Sequence, residues 1–303
     1  MSQWRATPYP CKKTLHPHCA QAETPVYASD FNDILLHGQS PRRKYAPRDR
    51  ALSVLHLGQR KLLMSEIGAL ILLDAGTKYV AVYAGAAPGI HTPLLSELFP
   101  NVTFHLYDPA PFRIRETERI RIFNVCFTDE TARTYSDEEH LVFICDIRRS
   151  VDEQMVWEDM QAQRHWHEIM RPVLTSLKFR LPWPGNGVAD ASNQVEYLDG
   201  DIHLPIWAPV STTEGRLVIE EGKHARDSTR IYDCLAYEEE MCHFNRVVRP
   251  SIHRGHREQG LDGCYDCTAE VRLLEKYRQK WTHAEISTER ISRELRRGIM
   301  QRD

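Results

Sequence analysis

Apolar residues change their period along the chain, and the changes mark its elements. Over residues 55–73 they fall at Leu55, Leu62, Leu63, Ile67, Leu70 and Ile71, which is helical spacing. Residues 79–84 are an unbroken apolar run that predicts a buried strand. Gly85-Ala86-Ala87-Pro88-Gly89 breaks the run, and a helix through Leu94, Leu95, Leu98 and Phe99 follows. The pattern predicts further strands over 102–107, 121–127 and 140–145, and a helix within 150–177. A strand-like segment over 179–182 leads into a Gly/Pro/Asn loop. A last strand over 215–219 and a helix over 231–248 come next. After a loop over 249–263, one long amphipathic helix covers 268–299.

Strands thus alternate with helices, and the strands are apolar without strict two-residue alternation. That combination predicts an α/β fold with a mostly parallel sheet covered on both faces. Residues 1–50 read as an irregular basic arm, 51–250 as the sheet-bearing domain, and 251–303 as a loop and helical extension packed on that domain. Pro8, Pro10, Pro17, Pro25, Pro41 and Pro47 prevent any long helix in the arm. Its stretch 41–50 is basic with Tyr45 inside, either a solvated loop or a strip that touches phosphates.

Composition narrows the class. Of 303 residues 42% are hydrophobic and 27% charged, the balance of a globular chain. The net charge of −3 excludes a generally basic nucleic-acid coat but leaves a local basic groove open. The apolar run 67–75 is too short to span a bilayer. The N-terminus lacks a basic stub followed by an apolar stretch, so a cytoplasmic location is expected. The eight cysteines are then expected to be reduced, with Cys126 and Cys145 as small core residues.

Two groups of residues carry candidate chemistry. In the first, a strand runs into the turn Gly85 to Gly89 and then a helix, so backbone N–H groups can approach a ligand. The spacing is neither that of a P-loop nor that of the dinucleotide fingerprint. Asp108, at the end of the next strand, suits a ribose with two hydroxyls or serves as a simple cap. The second group is scattered: Lys61 on the first helix, Asp146 ending the fourth strand, Lys178 beginning a later strand, and Glu214 before the last one. Strand ends on one sheet edge converge, so the four can meet. A lysine beside a second cation loses its proton more readily and can serve as a base.

These residues also carry a resemblance. The stretches Gly58-Gln59-Arg60-Lys61-Leu62-Leu63, Val82 through His91, Ile144-Cys145-Asp146-Ile147-Arg148, Ser176 through Pro184, and Ala208-Pro209 with Glu214-Gly215-Arg216-Leu217 occur in one order over about residues 55–250. In this the chain resembles the cap-specific mRNA (nucleoside-2′-O-)-methyltransferases of poxviruses and related large DNA viruses. The resemblance implies a Rossmann-like methyltransferase fold, S-adenosyl-L-methionine as cofactor, and capped mRNA as substrate, methylated on the ribose 2′-OH of its first transcribed nucleotide. It implies Lys178 as base, with Lys61, Asp146 and Glu214 completing the catalytic set. The donor would lie against Gln59, Tyr83, Gly85, Ala87, Gly89, Asp108, Phe127, Thr128 and Asp146.

A 7-methylguanine carries positive charge and stacks strongly between electron-rich rings. The resemblance assigns that role to Trp183 and Tyr45, and to Glu238 the acceptance of the guanine hydrogens. Gly185 stands where the family has a second acid. The alternatives are a ribosomal or transfer RNA 2′-O-methyltransferase and an RNA-binding processivity subunit of a poly(A) polymerase, whose catalytic subunit would then be a partner. A host-cytoplasmic or virion setting goes with the viral resemblance. Cys242, His253, His256, Cys264 and Cys267 could hold a structural zinc by residue type, as more weakly could Cys11, His16, His18 and Cys19, but their spacing is not that of a standard finger and no metal is expected.

Overall fold

The computed structural model describes residues 33–45, 55–189, 192–209, 211–225, 227–251, 264–281 and 285–300. The chain opens with β1 (Ile34–Leu35), α1 (Leu55–Leu70) and β2 (Tyr79–Ala84). Helix α1 turns Leu63, Met64, Ile67 and Leu70 inward, the one-face spacing of a packed helix. In β2, Ala81 and Tyr83 face one side and Val82 and Ala84 the other, all without solvent exposure. A strand buried on both faces belongs at the centre of a sheet.

The alternation continues through α2 (Thr92–Leu98), β3 (Val102–Tyr107), β4 (Ile120–Phe123), α3 (Asp129–Arg133), β5 (Leu141–Cys145), α4 (Glu153–Met170) and β6 (Leu174–Phe179). Four strands follow: β7 (Gln194–Leu198), β8 (Asp201–His203), β9 (Gly215–Glu220) and β10 (Thr229–Asp233). Helix α5 (Cys234–His243), a π-helical turn over Phe244–Val248, α6 (Arg249–Ser251), α7 (Tyr265–Lys280) and α8 (Thr288–Met300) complete the fold.

Eight strands form one sheet in the order β1-β8-β9-β6-β5-β2-β3-β4. From β6 to β4 all pairs are parallel, and β9 is inserted antiparallel between β6 and β8. This is the mostly parallel, Rossmann-like sheet expected, and the strand order turns back at β2. In such sheets ligands lie outside the carboxyl ends at the switch point. One hydrophobic core joins α1, α2, α7 and α8 to one face of the sheet, and a second joins α4, β7, β10 and α5 to the other. The C-terminal helices therefore share a core with α1. Among the described residues no helix is long and apolar enough to cross a membrane.

Several elements depart from the sequence expectation. The third predicted strand stops at Phe123, because the chain turns at Val125 and sends Phe127 separately into the core. The strand placed at 179–182 instead covers Leu174–Phe179, where its apolar run pairs with β5, so Lys178 ends a strand rather than beginning one. Glu214 precedes β9, which is not the last strand. The helix expected over 231–248 starts at Cys234, since Thr229–Asp233 pair with β7 and Asp233 caps the helix by accepting from the Ala236 N–H at 2.9 Å. The long C-terminal helix is two: Trp281 leaves the helical conformation at φ −116° and ψ 106°. The short α3, β1, β7 and β8 were not foreseen; β7 alternates exposed and buried positions too briefly to register.

Candidate functional site

Parallel strands finish at one edge of the sheet. There β2 delivers Gly85, β3 delivers Asp108, β5 delivers Asp146 and β6 delivers Lys178. Because β9 runs the other way, its start rather than its end lies at this edge, bringing Glu214 and Arg216. In the register of the pair, Lys178 stands directly opposite Arg216. Helix α1 contributes Gln59 and Lys61.

The four scattered residues of the sequence do meet. Lys61 Nζ lies 2.6 Å from Glu214 Oε1, and Lys178 Nζ lies 3.2 Å from Asp146 Oδ1 and 3.6 Å from Glu214 Oε2. A fifth residue, which sequence reasoning missed, joins them. Arg216 pairs with Asp146 Oδ1, approaches Glu214 Oε1 to 3.9 Å, and donates to the Cys145 carbonyl at 3.3 Å. The available signal was its place two residues after Glu214, on the strand face that Lys178 also uses. The cluster holds three cations against two carboxylates, all largely buried, so discharging one lysine leaves it neutral. Burial works against ionising Asp146, but Arg216, Lys178 and Lys61 together hold its carboxyl below the ordinary range. Burial likewise opposes ionisation of Glu214, and Lys178, Lys61 and Arg216 outweigh it, holding that carboxyl well below its ordinary value.

Beside the cluster, the turn after β2 is built for close approach. Gly85 has φ +81°, and a Cβ there would lie 2.7 Å from the Ile147 backbone nitrogen. Gly89 is also left-handed, at φ +71°. Asp108 accepts from the Ala87 N–H at 3.0 Å and from the Ala110 N–H at 2.8 Å, tying the turn to the loop after β3. Gln59 Oε1 lies 2.8 Å from His91 Nδ1, behind the turn. Tyr83 lies beneath it with its ring fully buried. Phe127 packs against Tyr107 and Trp166 in the core, and Thr128 caps α3 by accepting from the Thr131 N–H at 3.3 Å. Of that segment, Asn124, Val125, Cys126 and Thr128 are exposed and Phe127 alone is buried, so Cys126 is not the core residue the sequence suggested.

The arm stretch 33–45 is anchored on α5. His37 Nδ1 and the Gly38 N–H reach Glu240 at 2.9 and 2.8 Å, and the Arg43 N–H donates to the Glu239 carbonyl at 3.0 Å. This brings Tyr45 against Trp183, with ring centroids 4.7 Å apart and planes inclined by 56°. Arg180 stands over the Trp183 ring at 5.5 Å and is held by Glu153 at 2.6 Å. Glu238 lies within electrostatic reach of Tyr45; burial, with Glu239 adding to it, pushes its carboxyl up to about 6. The structure thus gathers Tyr45, Trp183 and Glu238. Of the candidate zinc set, Cys242, Cys264 and Cys267 are buried, and His253 and His256 lie outside the described residues, as do Cys11, His16, His18 and Cys19. Among the described residues no group of three or more His, Cys, Asp or Glu is arranged to hold a metal ion.

Comparison with known proteins places this geometry in context. The profile of the family described as Poly A polymerase regulatory subunit matches residues 30–282. A protein of Fowlpox virus (strain NVSL) named cap-specific mRNA (nucleoside-2′-O-)-methyltransferase is 29% identical over 217 residues, covering 64% of this chain and 68% of its own. A protein of the same name from Myxoma virus (strain Lausanne) is 27% identical over 224 residues, covering 65% and 63%. The chain therefore spans about two-thirds of the length of these relatives. Among solved structures, human methyltransferase-like protein 13 in complex with SAH aligns with TM-score 0.30 and 9% identity, over 69% of this chain and 97% of its own.

Proposed function

Because the chain belongs to the Poly A polymerase regulatory subunit family, we propose that it transfers a methyl group from S-adenosyl-L-methionine to the ribose 2′-OH of the first transcribed nucleotide of 7-methylguanosine-capped mRNA. The observation that carries this reading is the convergence of Lys61, Glu214, Lys178, Asp146 and Arg216 beside the Gly85 turn. The names of the Fowlpox and Myxoma relatives support it.

The residues at the switch point fit such a donor. The turn at Gly85 leaves no room for a side chain on its inner side, and Gln59 is buried with its oxygen turned to His91. Gln59, Gly85, Ala87 and Gly89 would hold the methionine end, Asp108 the ribose hydroxyls, and the backbone of the segment at 125–128 the adenine. When bound, the donor supplies an electrophilic methyl on a sulfonium. The chain's own task is to place the 2′-oxygen in line and to take its proton.

Lys178 is the base in this reading. Arginine does not deprotonate, and Lys61 is committed to Glu214 at 2.6 Å, whereas Lys178 has longer contacts of 3.2 and 3.6 Å to its carboxylates. Asp146 and Glu214 orient the amine and stabilise the ammonium formed when it accepts the proton.

Tyr45, Trp183 and Glu238 favour a cap over an uncapped ribosomal or transfer RNA target. A base stacked between two rings needs them about 7 Å apart, twice the ~3.5 Å contact distance. Tyr45 and Trp183 are closer, so the Tyr45 ring moves aside on binding. The family description favours a second role, assisting a poly(A) polymerase as a non-catalytic subunit. Methyl transfer to short RNAs with and without a 7-methylguanosine cap tests the main reading. Transfer to capped RNA alone is expected; equal transfer to both removes the cap assignment, and none to either removes the methyl-transfer reading.

A further inference from the structure

Beneath the Gly85 turn a buried polar string runs back from Gln59 into His91 and Glu66, which the proposed methyl transfer does not itself use. His91 is fully buried at the start of α2. Its Nδ1 lies 2.8 Å from Gln59 Oε1, and its Nε2 lies 2.8 Å from Glu66 Oε2. Glu66 is itself 2% exposed, and among the described residues neither its oxygens nor His91 Nε2 makes an aligned hydrogen bond, so the two meet as a close charged contact. The buried Tyr83 hydroxyl is close to Glu66, and its ring centroid is 6.4 Å from that of His91. Glu66 and Tyr83 are the titratable groups that face His91 among the described residues.

The two ends of an amide are not equivalent. An imidazole N–H at Nδ1 binds the Gln59 carbonyl oxygen and turns the NH2 outward; a bare Nδ1 lone pair would attract the NH2 and turn the oxygen outward. In the structure it is the Gln59 oxygen that faces Nδ1, at 2.8 Å, the placement that an N–H on Nδ1 stabilises.

We propose that His91, held by Glu66, is a positioning residue that locks the Gln59 amide with its NH2 facing the donor site, where it selects a ligand that carries an α-carboxylate. The inference rests on the methyl-transfer reading, since the methionine end of S-adenosylmethionine supplies that carboxylate.

Two substitutions separate positioning from packing. Leucine in H91L fills the space of the imidazole but offers no N–H, whereas asparagine in H91N is smaller and keeps an N–H near the Nδ1 position. Binding of S-adenosylhomocysteine and of its decarboxylated analogue is measured by calorimetry for wild type and both variants, with thermal melting alongside. H91L should weaken S-adenosylhomocysteine about tenfold, the loss of one charge-assisted hydrogen bond, while H91N stays within about threefold of wild type. The decarboxylated analogue should bind wild type and H91L alike, which a packing defect would not produce. An affinity order with H91N worse than H91L, or equal losses for both ligands in H91L, overturns the positioning role while leaving methyl transfer standing. A wild-type protein that binds neither ligand removes both.

Discussion

Lys178 is the residue on which the proposed chemistry turns, and its loss should be read in rate rather than in binding. Lys178→Ala should abolish single-turnover methyl transfer while S-adenosylmethionine and cap-analogue affinities stay close to wild type; a near-normal rate would reassign the base. Trp183→Ala tests the cap slot. A desolvated cation–π contact is worth about 2 kcal/mol, so the variant should lose about thirtyfold preference for 7-methyl-GTP over GTP with unchanged donor affinity, measured by fluorescence or calorimetry. Glu238 adds a pH signature. Its carboxyl is raised to about 6 by burial and by Glu239, so it becomes a full hydrogen-bond acceptor only above that pH. Affinity for 7-methyl-GTP should therefore rise between pH 5 and 7, and Glu238→Gln should flatten that rise. The same shift has a stability sign: the folded state favours the protonated acid, a contribution full below the unfolded value near 4.5 and lost as pH rises through 6. Glu238→Gln should accordingly gain melting temperature at pH 7 relative to wild type, and gain less at pH 4.5. Asp146 and Glu214 are held low instead, so their contribution is full above the carboxylate range and is lost only below it.

At the scale of elements, direction matters more than length. β6 and β9 meet antiparallel, so the end of one and the start of the other put Lys178 and Arg216 side by side with Asp146 between them. Two adjacent cations on neighbouring strands repel, and the carboxylates of Asp146 and Glu214 offset that repulsion. The turn after β2 depends on a missing side chain. Gly85→Ala would force a Cβ to 2.7 Å from the Ile147 nitrogen at φ +81°. Strain of this kind costs about 1–3 kcal/mol, and the turn would have to move away from Asp146. Both the melting temperature and the S-adenosylmethionine affinity should fall; an alanine variant with wild-type donor affinity would separate the turn from the donor site.

Across the whole molecule, the C-terminal helices reach under the site through buried charges. Arg60, between Gln59 and Lys61 on α1, sends its guanidinium the other way, to Glu270 of α7 at 2.7 and 2.5 Å and to Ser292 of α8 at 2.7 Å. Trp207, at φ +63°, donates its indole N–H to Glu270 at 2.6 Å and its backbone N–H to Asp266 at 2.7 Å. Asp266 in turn binds Arg249. The loop through Trp207 leads to Glu214, so one ionic network holds both the helix of Lys61 and the loop of Glu214. Glu270→Ala would leave the fully buried Arg60 uncompensated, at a cost of about 3–5 kcal/mol. Urea unfolding should show that loss, and an effect under 1 kcal/mol would mean that Arg60 finds another acceptor.

Much of the fold was legible in the chain because periodicity is local. The runs of β2 and β3 were bounded to the residue, and the Gly85 to Gly89 turn, Asp108, Asp146, Lys61, Lys178 and Glu214 were all named from the residues around them. Order of strands and motif spacing put four of these on one sheet edge. What the sequence could not decide was contact across the sheet. Arg216 sits in an apolar run like an ordinary strand residue, and only the antiparallel insertion of β9 aims it at Asp146. Nothing in the local pattern marks Glu66, Arg60 and Glu270 as buried; tertiary packing sets them against His91, Trp207 and Ser292. The break at Trp281 and the strand at Thr229–Asp233 depend likewise on partners distant in the chain. Hydrophobic period sets which segments become strands and helices, because it acts between near neighbours; the pairing of charges in a low-dielectric interior is decided by which distant segments the packed core brings together.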